Sequence, residues 1–361
     1  MSMRRLAAML CLMCILCISC GAVEILPEQA AEAAGLELPS DASKILGDAA
    51  PTKPGDFSDG LLRITDAAGR AWRQWMPQSL KTMGLLVLVV FLCALVQSFG
   101  AGKAWVLTAA GSLALICACT SGLESAFSIG TQTLQTLETF STSLLATLTT
   151  TVAATGAATT AATLYAGTAF FMNVLLRLTN SLLTPLIYGF LAASAAATAI
   201  GNETLWRVGG LLKWVITFCL KTISTAFIAY MSISGVVSGS ADSAAIKAVK
   251  LAFSTAVPVV GSIISDASET VLVSAGLLKN AVGVFGLLGL LAICVVPFTR
   301  IGLQYLSLKL ASALSAVVDA NGLVKLIDAL ASAMGMVLAM TAVALLLTAF
   351  CCISAMRLVN P

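Results

Sequence analysis

Asp266 and Glu269 stand three residues apart, a spacing that puts two carboxylates on one face of a helix. Pro258 and Gly261 come just before them and mark a broken or kinked stretch. Lys221 lies near the middle of another apolar run, with Lys213 eight residues earlier on roughly the same face. Lys213 is close enough to an end to snorkel, whereas Lys221 needs a partner or water. An ionised group at the centre of a bilayer costs about 2.5–3.5 kcal/mol, which makes such residues functional candidates by default. The carboxylate pair suits either an ion-lined path or the neutralisation of Lys221, Lys250 or Lys279, and the spacing alone fits both. The candidate pore-lining or intramembrane polar residues are therefore Lys221, Asp266, Glu269, Lys279 and Asn280.

Other chemistries are excluded by what the chain lacks. It contains no histidine, which removes Ser-His-Asp and Cys-His nucleophilic sites and His-ligated metals. No phosphate-binding loop, nucleophile elbow or dinucleotide fingerprint occurs. The reading is a protein that is not an enzyme, with no cofactor and no metal; any energy it uses comes from another subunit. Cys11, Cys14, Cys17 and Cys20 recur every third residue, a spacing that could hold an iron–sulfur cluster. They lie, however, behind Arg4 and Arg5 in an apolar stretch with the grammar of a secretory signal. The remaining cysteines sit in apolar runs, where a thiol packs as a small hydrophobe.

The elements that must position these residues follow from composition. Hydrophobic residues make up 59% of the 361 and charged residues 10%, far below the roughly 25% of a soluble domain. So little polar surface points to lipid as the main solvent. A net charge of +3 is too small for a nucleic-acid binder. The expectation is an all-α fold, a polytopic transmembrane helical bundle of about 7–9 spans. Residues 1–22 are the signal peptide, 23–80 an extracytoplasmic linker with an amphipathic interfacial helix, and 81–361 the membrane domain.

Within 57–79, Leu61, Ile64, Ala68, Trp72 and Trp75 fall on one helical face, opposite Arg63, Asp66, Arg70 and Arg73. Tryptophans beside arginines suit a helix lying in the headgroup region, and equally one packed on the bundle or on a partner. Spans are expected at 83–99, 104–122, 143–171, 178–200, 208–237, 251–276, 281–297, 301–318 and 329–356. The 251–276 and 281–297 pair is alternatively a re-entrant hairpin broken at Lys279-Asn280. Lys103, Arg177, Lys247 with Lys250, Arg300 and Arg357 then fall on the cytoplasmic side. That places the mature N-terminus outside and the C-terminus in the cytoplasm. Many residues between Leu144 and Ala169 are Thr, Ala or Gly, which suits close helix packing in a bundle or a homo-oligomer.

The segment from Pro258 to Gly283, PVVGSIISDASETVLVSAGLLKNAVG, resembles the stage III sporulation protein AE family. The likeness extends from about Phe170 to the C-terminus and includes Asn173, the Leu-Thr-Pro-Leu run at 183–186, Asp266, Lys279-Asn280 and Pro297. It is weak over 23–80, and the Thr/Ala-rich third span departs from it. The resemblance implies a multi-pass subunit of a transenvelope channel or secretion complex in the mother-cell membrane around the forespore, needed for endospore development. Its implied companions are a secretion-type ATPase and ring-forming proteins. A stand-alone secondary transporter and a non-conducting scaffold for the complex are the competing readings, and the lack of a clear internal repeat counts against the first of these.

Overall fold

The computed structural model describes the backbone of residues 38–46, 54–99, 104–154, 158–256, 261–318 and 321–357, and most side chains within them outside 234–281. Every regular element among these residues is a helix: α1 (Ser40–Leu46), α2 (Pro54–Ser98), α3 (Ala104–Ala154), α4 (Ala158–Leu178), α5 (Thr184–Ile200), α6 (Glu203–Ala256), α7 (Gly261–Ser315) and α8 (Asn321–Arg357). A π turn, Thr179–Leu183, joins α4 to α5 without a break. Pro185, at the start of α5, explains it: the proline supplies no N–H and its ring crowds the preceding turn, and the wider π turn absorbs both. Among the described residues, six segments are long and apolar enough to cross a membrane: 58–98, 106–153, 158–200, 203–233, 282–318 and 322–356.

These six alternate in direction. Their shared levels can be read from side chains that meet. At one end, Gln97 donates to Thr108, Thr198 donates to the Gly322 carbonyl, and Lys325 pairs with Glu203. Chain reversal there is tight. Gly201 takes a left-handed φ of 72°, donating to the Ala197 carbonyl, and Asn202 then caps α6 by accepting from the Thr204 N–H at 2.8 Å. Halfway along, Trp75 meets Arg300, which also reaches Ser125. At the far end, Ser141 donates to Thr348, Tyr230 donates to the Thr163 carbonyl, and Gly60 lies against Leu288.

α7 and α8 form the centre, with 67% and 72% of their most apolar stretches buried inside the protein, against 17–33% for the others. Close approach of α3 to α7 depends on glycine: a Cβ at Gly286 would sit 2.6 Å from Leu144, and one at Gly289 2.6 Å from Phe140. α1 docks Ala42 and Leu46 into the core, and Arg63 donates to the Leu46 carbonyl at its end. Part of the segment expected as a linker thus folds onto the bundle.

Several sequence-based boundaries are redrawn. The loop expected between Glu124 and Glu138 is continuous α-helix within α3, because Leu123, Phe127, Leu134 and Leu137 supply a buried face every three or four residues. The stretch 57–79 is no separate interfacial helix but the first half of α2, packed on α7 along the face that carries Ile64 and Ala71. α7 runs unbroken through Lys279-Asn280 and on past Arg300, so neither a re-entrant break nor a loop falls there. Pro54 and Arg357 accordingly lie at the same end of six alternating helices, where the odd span count had put the two ends of the membrane domain on opposite sides. The expected signal and its four cysteines lie outside the described residues.

Candidate functional site

Among the described residues, the densest charge cluster ties three helices together. α6, α7 and α8 present Lys213, Lys309, Asp328 and Ser332 to one another because their turn-bearing ends are level. Lys309 forms an ion pair and hydrogen bond with Asp328. Lys213 Nζ donates to Ser332 Oγ at 2.9 Å, one helical turn beyond Asp328, with both Asp328 and Lys309 within electrostatic reach. Lys309 holds the carboxylate, and Lys213 stands near it on the Ser332 hydroxyl. The paired side chains are 37% and 47% exposed, so the cluster faces outward from the protomer. A charged group in such an apolar region is stable when paired, hydrated or covered by protein. Chemically the site can hold helices in register, cross-link to a neighbour, or offer an anion a net positive charge.

A second polar contact lies halfway along the bundle. The Arg300 guanidinium stacks over Trp75 at 3.7 Å and donates to Ser125 Oγ at 2.6 Å, joining α7, α2 and α3. One turn later Gln304 lies against Gly122, where a side chain would have no room. Beside the π turn, a cavity of about 10 Å³, the space of one water, is lined by Thr131, Thr179, Thr184 and Thr341 among apolar residues. The buried Thr179 hydroxyl has no protein partner. A water bridging these hydroxyls would satisfy it.

The sequence candidates fare differently. Lys221 is exposed on α6 and makes no ion pair among the described residues. The backbone at Asp266, Glu269, Lys279 and Asn280 is helical within α7, and their side chains lie outside the described residues. Trp75 is at a helix junction beneath Arg300, while Trp72, Arg63, Arg70 and Arg73 are exposed. Lys309 carried the same signal as Lys221, a lone charge inside an apolar stretch, and was passed over. Arg300 and Asp328 stand at the edges of apolar runs, so in the sequence they look like loop charges. No group of three or more potential metal ligands occurs among the described residues.

Comparison with known proteins agrees with the resemblance. Residues 52–358 match the family described as stage III sporulation protein AE. The stage III sporulation protein AE of Bacillus subtilis (strain 168) is 27% identical over 145 residues, covering 40% of this chain and 36% of that protein. The match thus spans about a third of the relative's length. No solved structure matches. With six apolar helices long enough to cross a membrane and a family match over most of its length, the chain belongs to the stage III sporulation protein AE family.

Proposed function

We propose that this chain is a membrane subunit of a multiprotein transenvelope channel or secretion complex that links mother cell and forespore and is required for endospore development. Membership of a stage III sporulation family supports the developmental role. The observation that carries the complex is the Lys213–Lys309–Asp328–Ser332 cluster, charged and outward-facing on an otherwise apolar part of the surface. Lipid does not solvate such groups, so a neighbouring protein or water must. A subunit in an assembly provides either. The expected neighbours are further copies of this chain and other subunits of the complex, with a secretion-type ATPase supplying energy and ring-forming proteins completing the path; it binds no nucleic acid. The mature N-terminus is extracytoplasmic in this reading. Six alternating helices then return residue 357 to the side on which residue 54 stands.

The test replaces Asp328 with Asn and, separately, Asp266 and Glu269 with Asn and Gln in sporulating cells. Assembly is followed by co-purification, and passage of a small tracer from mother cell to forespore is measured in parallel. Normal assembly with blocked passage is the outcome expected of a conduit residue. Loss of assembly marks a structural contact within the complex. Normal assembly, passage and spore yield in all variants would contradict the proposal, as would ion-coupled uptake by the purified chain alone.

A further inference from the structure

The exposed apolar surface is not spread evenly along the bundle. Phe91, Leu95, Leu211, Trp214, Leu310 and Leu314, each 41% exposed or more, all lie between the mid-bundle level and the end where α2, α5 and α7 finish and α3, α6 and α8 begin. Four helices carry a basic residue where that surface ends: Arg73 on α2, Arg177 on α4, Lys221 on α6 and Arg300 on α7. These fall at one level, because Trp75 meets Arg300 there and Lys221 follows Lys213 by two turns. From this ring to the turns each helix has about 18–25 residues, roughly 27–37 Å at 1.5 Å per residue, which matches one hydrocarbon core of about 30 Å. Tryptophans stand at both margins: Trp72 and Trp75 at the ring, and Trp206 under Lys325 at the turns.

Beyond the ring the surface changes. α3 exposes Ser128, Gln132, Gln135, Thr139 and Thr142 in one stripe, and α2 exposes Asp59, Arg63, Asp66 and Arg70. Exposed apolar residues there are scattered, such as Leu62, Phe170 and Ile228. The very apolar stretches of α7 and α8 at this end, from Val282 to Cys294 and from Ala342 to Ala355, are largely buried by α2, α3, α4 and α6.

The geometry points to a bilayer that covers only the turn-bearing half, with its headgroups at the Arg73–Arg177–Lys221–Arg300 ring. The other half stands about 25 Å out of the membrane as a water-exposed helical domain with its own apolar core. The basic ring then lies at headgroup level, where long Arg and Lys side chains reach polar headgroups while their stems stay in apolar surroundings. This holds whether or not the chain belongs to a channel complex.

The test uses the full chain, produced without other sporulation proteins and with its native cysteines replaced, in right-side-out and inverted vesicles. Single cysteines are placed at Gln135, Ala166 and Ala229 beyond the ring, and at Leu92, Leu211 and Leu314 within the belt. A membrane-impermeant maleimide is expected to label the first three, all from the same side, at least tenfold faster than the second three. All six must label in SDS, which excludes trivial unreactivity. Labelling of Gln135 with Ala166 and Ala229 protected would overturn the inference, since only one face would then meet water, as in a full-depth pore. Protection of all three would overturn it too, placing the whole bundle in lipid. Neither result bears on complex assembly, so failure here is distinct from failure of the proposed function.

Discussion

The most apolar stretches of α2 and α7 have the same mean hydropathy, 2.4, yet 17% of the first is buried within the protein and 67% of the second. Equal hydrophobicity thus serves two solvents. α2 turns Leu88, Phe91, Leu92 and Leu95 outward, while α7 turns Leu288, Leu290, Ala292 and Ile293 onto α2, α3 and α8. Hydropathy measures how strongly a segment avoids water, and not whether lipid or protein takes its place. The neighbours decide. α7 is flanked by long helices on several sides, and α2 has α7 on one side only along most of its length.

Truncation sharpens this difference most. Leu345→Ala on α8, at a fully enclosed position, is expected to cost about 2–5 kcal/mol, whereas Leu92→Ala on the open face of α2 costs about 1 kcal/mol or less. Unfolding of the purified protein in detergent or bicelles measures both, and equal losses would break the comparison. Overpacking comes next. Gly286→Leu pushes a side chain into Leu144 and is expected to destabilise by about 1–3 kcal/mol, while Gly84→Leu, on the open side of α2, has little effect. Asp328→Asn leaves Lys309 and Lys213 without their carboxylate. The pair is partly exposed, so a loss of about 1–2 kcal/mol is expected, and K309M combined with D328N recovers part of it in the same assay. The smallest effect is Ser141→Ala, which removes the interhelical bond to Thr348 and is expected to cost about 0.6 kcal/mol.

Composition made the class legible: a chain with 10% charged residues folds as helices long and apolar enough to cross a membrane. The family was legible too, through the segment around Asp266 and Lys279. Element boundaries were not, for a physical reason. Glu124, Gln132, Gln135 and Glu138 lower the hydropathy of the middle of α3, which looks like a loop when averaged over all faces. The helix survives there because Leu123, Phe127, Leu134 and Leu137 keep one face buried. The same averaging hid the central role of α8. Its apolar residues look like a lipid-facing span until Ala331, Ala344 and Cys352 are seen to touch protein on every side. The amphipathic face of 57–79 was legible only in part: Ile64 is buried and Arg63, Arg70 and Arg73 are exposed, but Ala67 and Ala71 complete the buried face, Trp72 is exposed, and the docking surface is α7. Lys309 and Asp328 belong to different helices, and only the tertiary register brings them together.

Disulfide trapping between Ser141→Cys and Thr348→Cys, in a chain otherwise free of cysteine and kept in its native membrane, tests the central claim most directly. The hydroxyls of these residues are 3.1 Å apart, deep between α3 and α8. Efficient cross-linking by mild oxidation is expected, with no cross-link in the control pair Gln135→Cys and Thr348→Cys, whose first member lies on the open face of α3. Free alkylation of both thiols at 141 and 348 by a water-soluble reagent, without cross-linking, would contradict the account: α3 would not then run unbroken past the polar stretch to enclose the apolar core of α8.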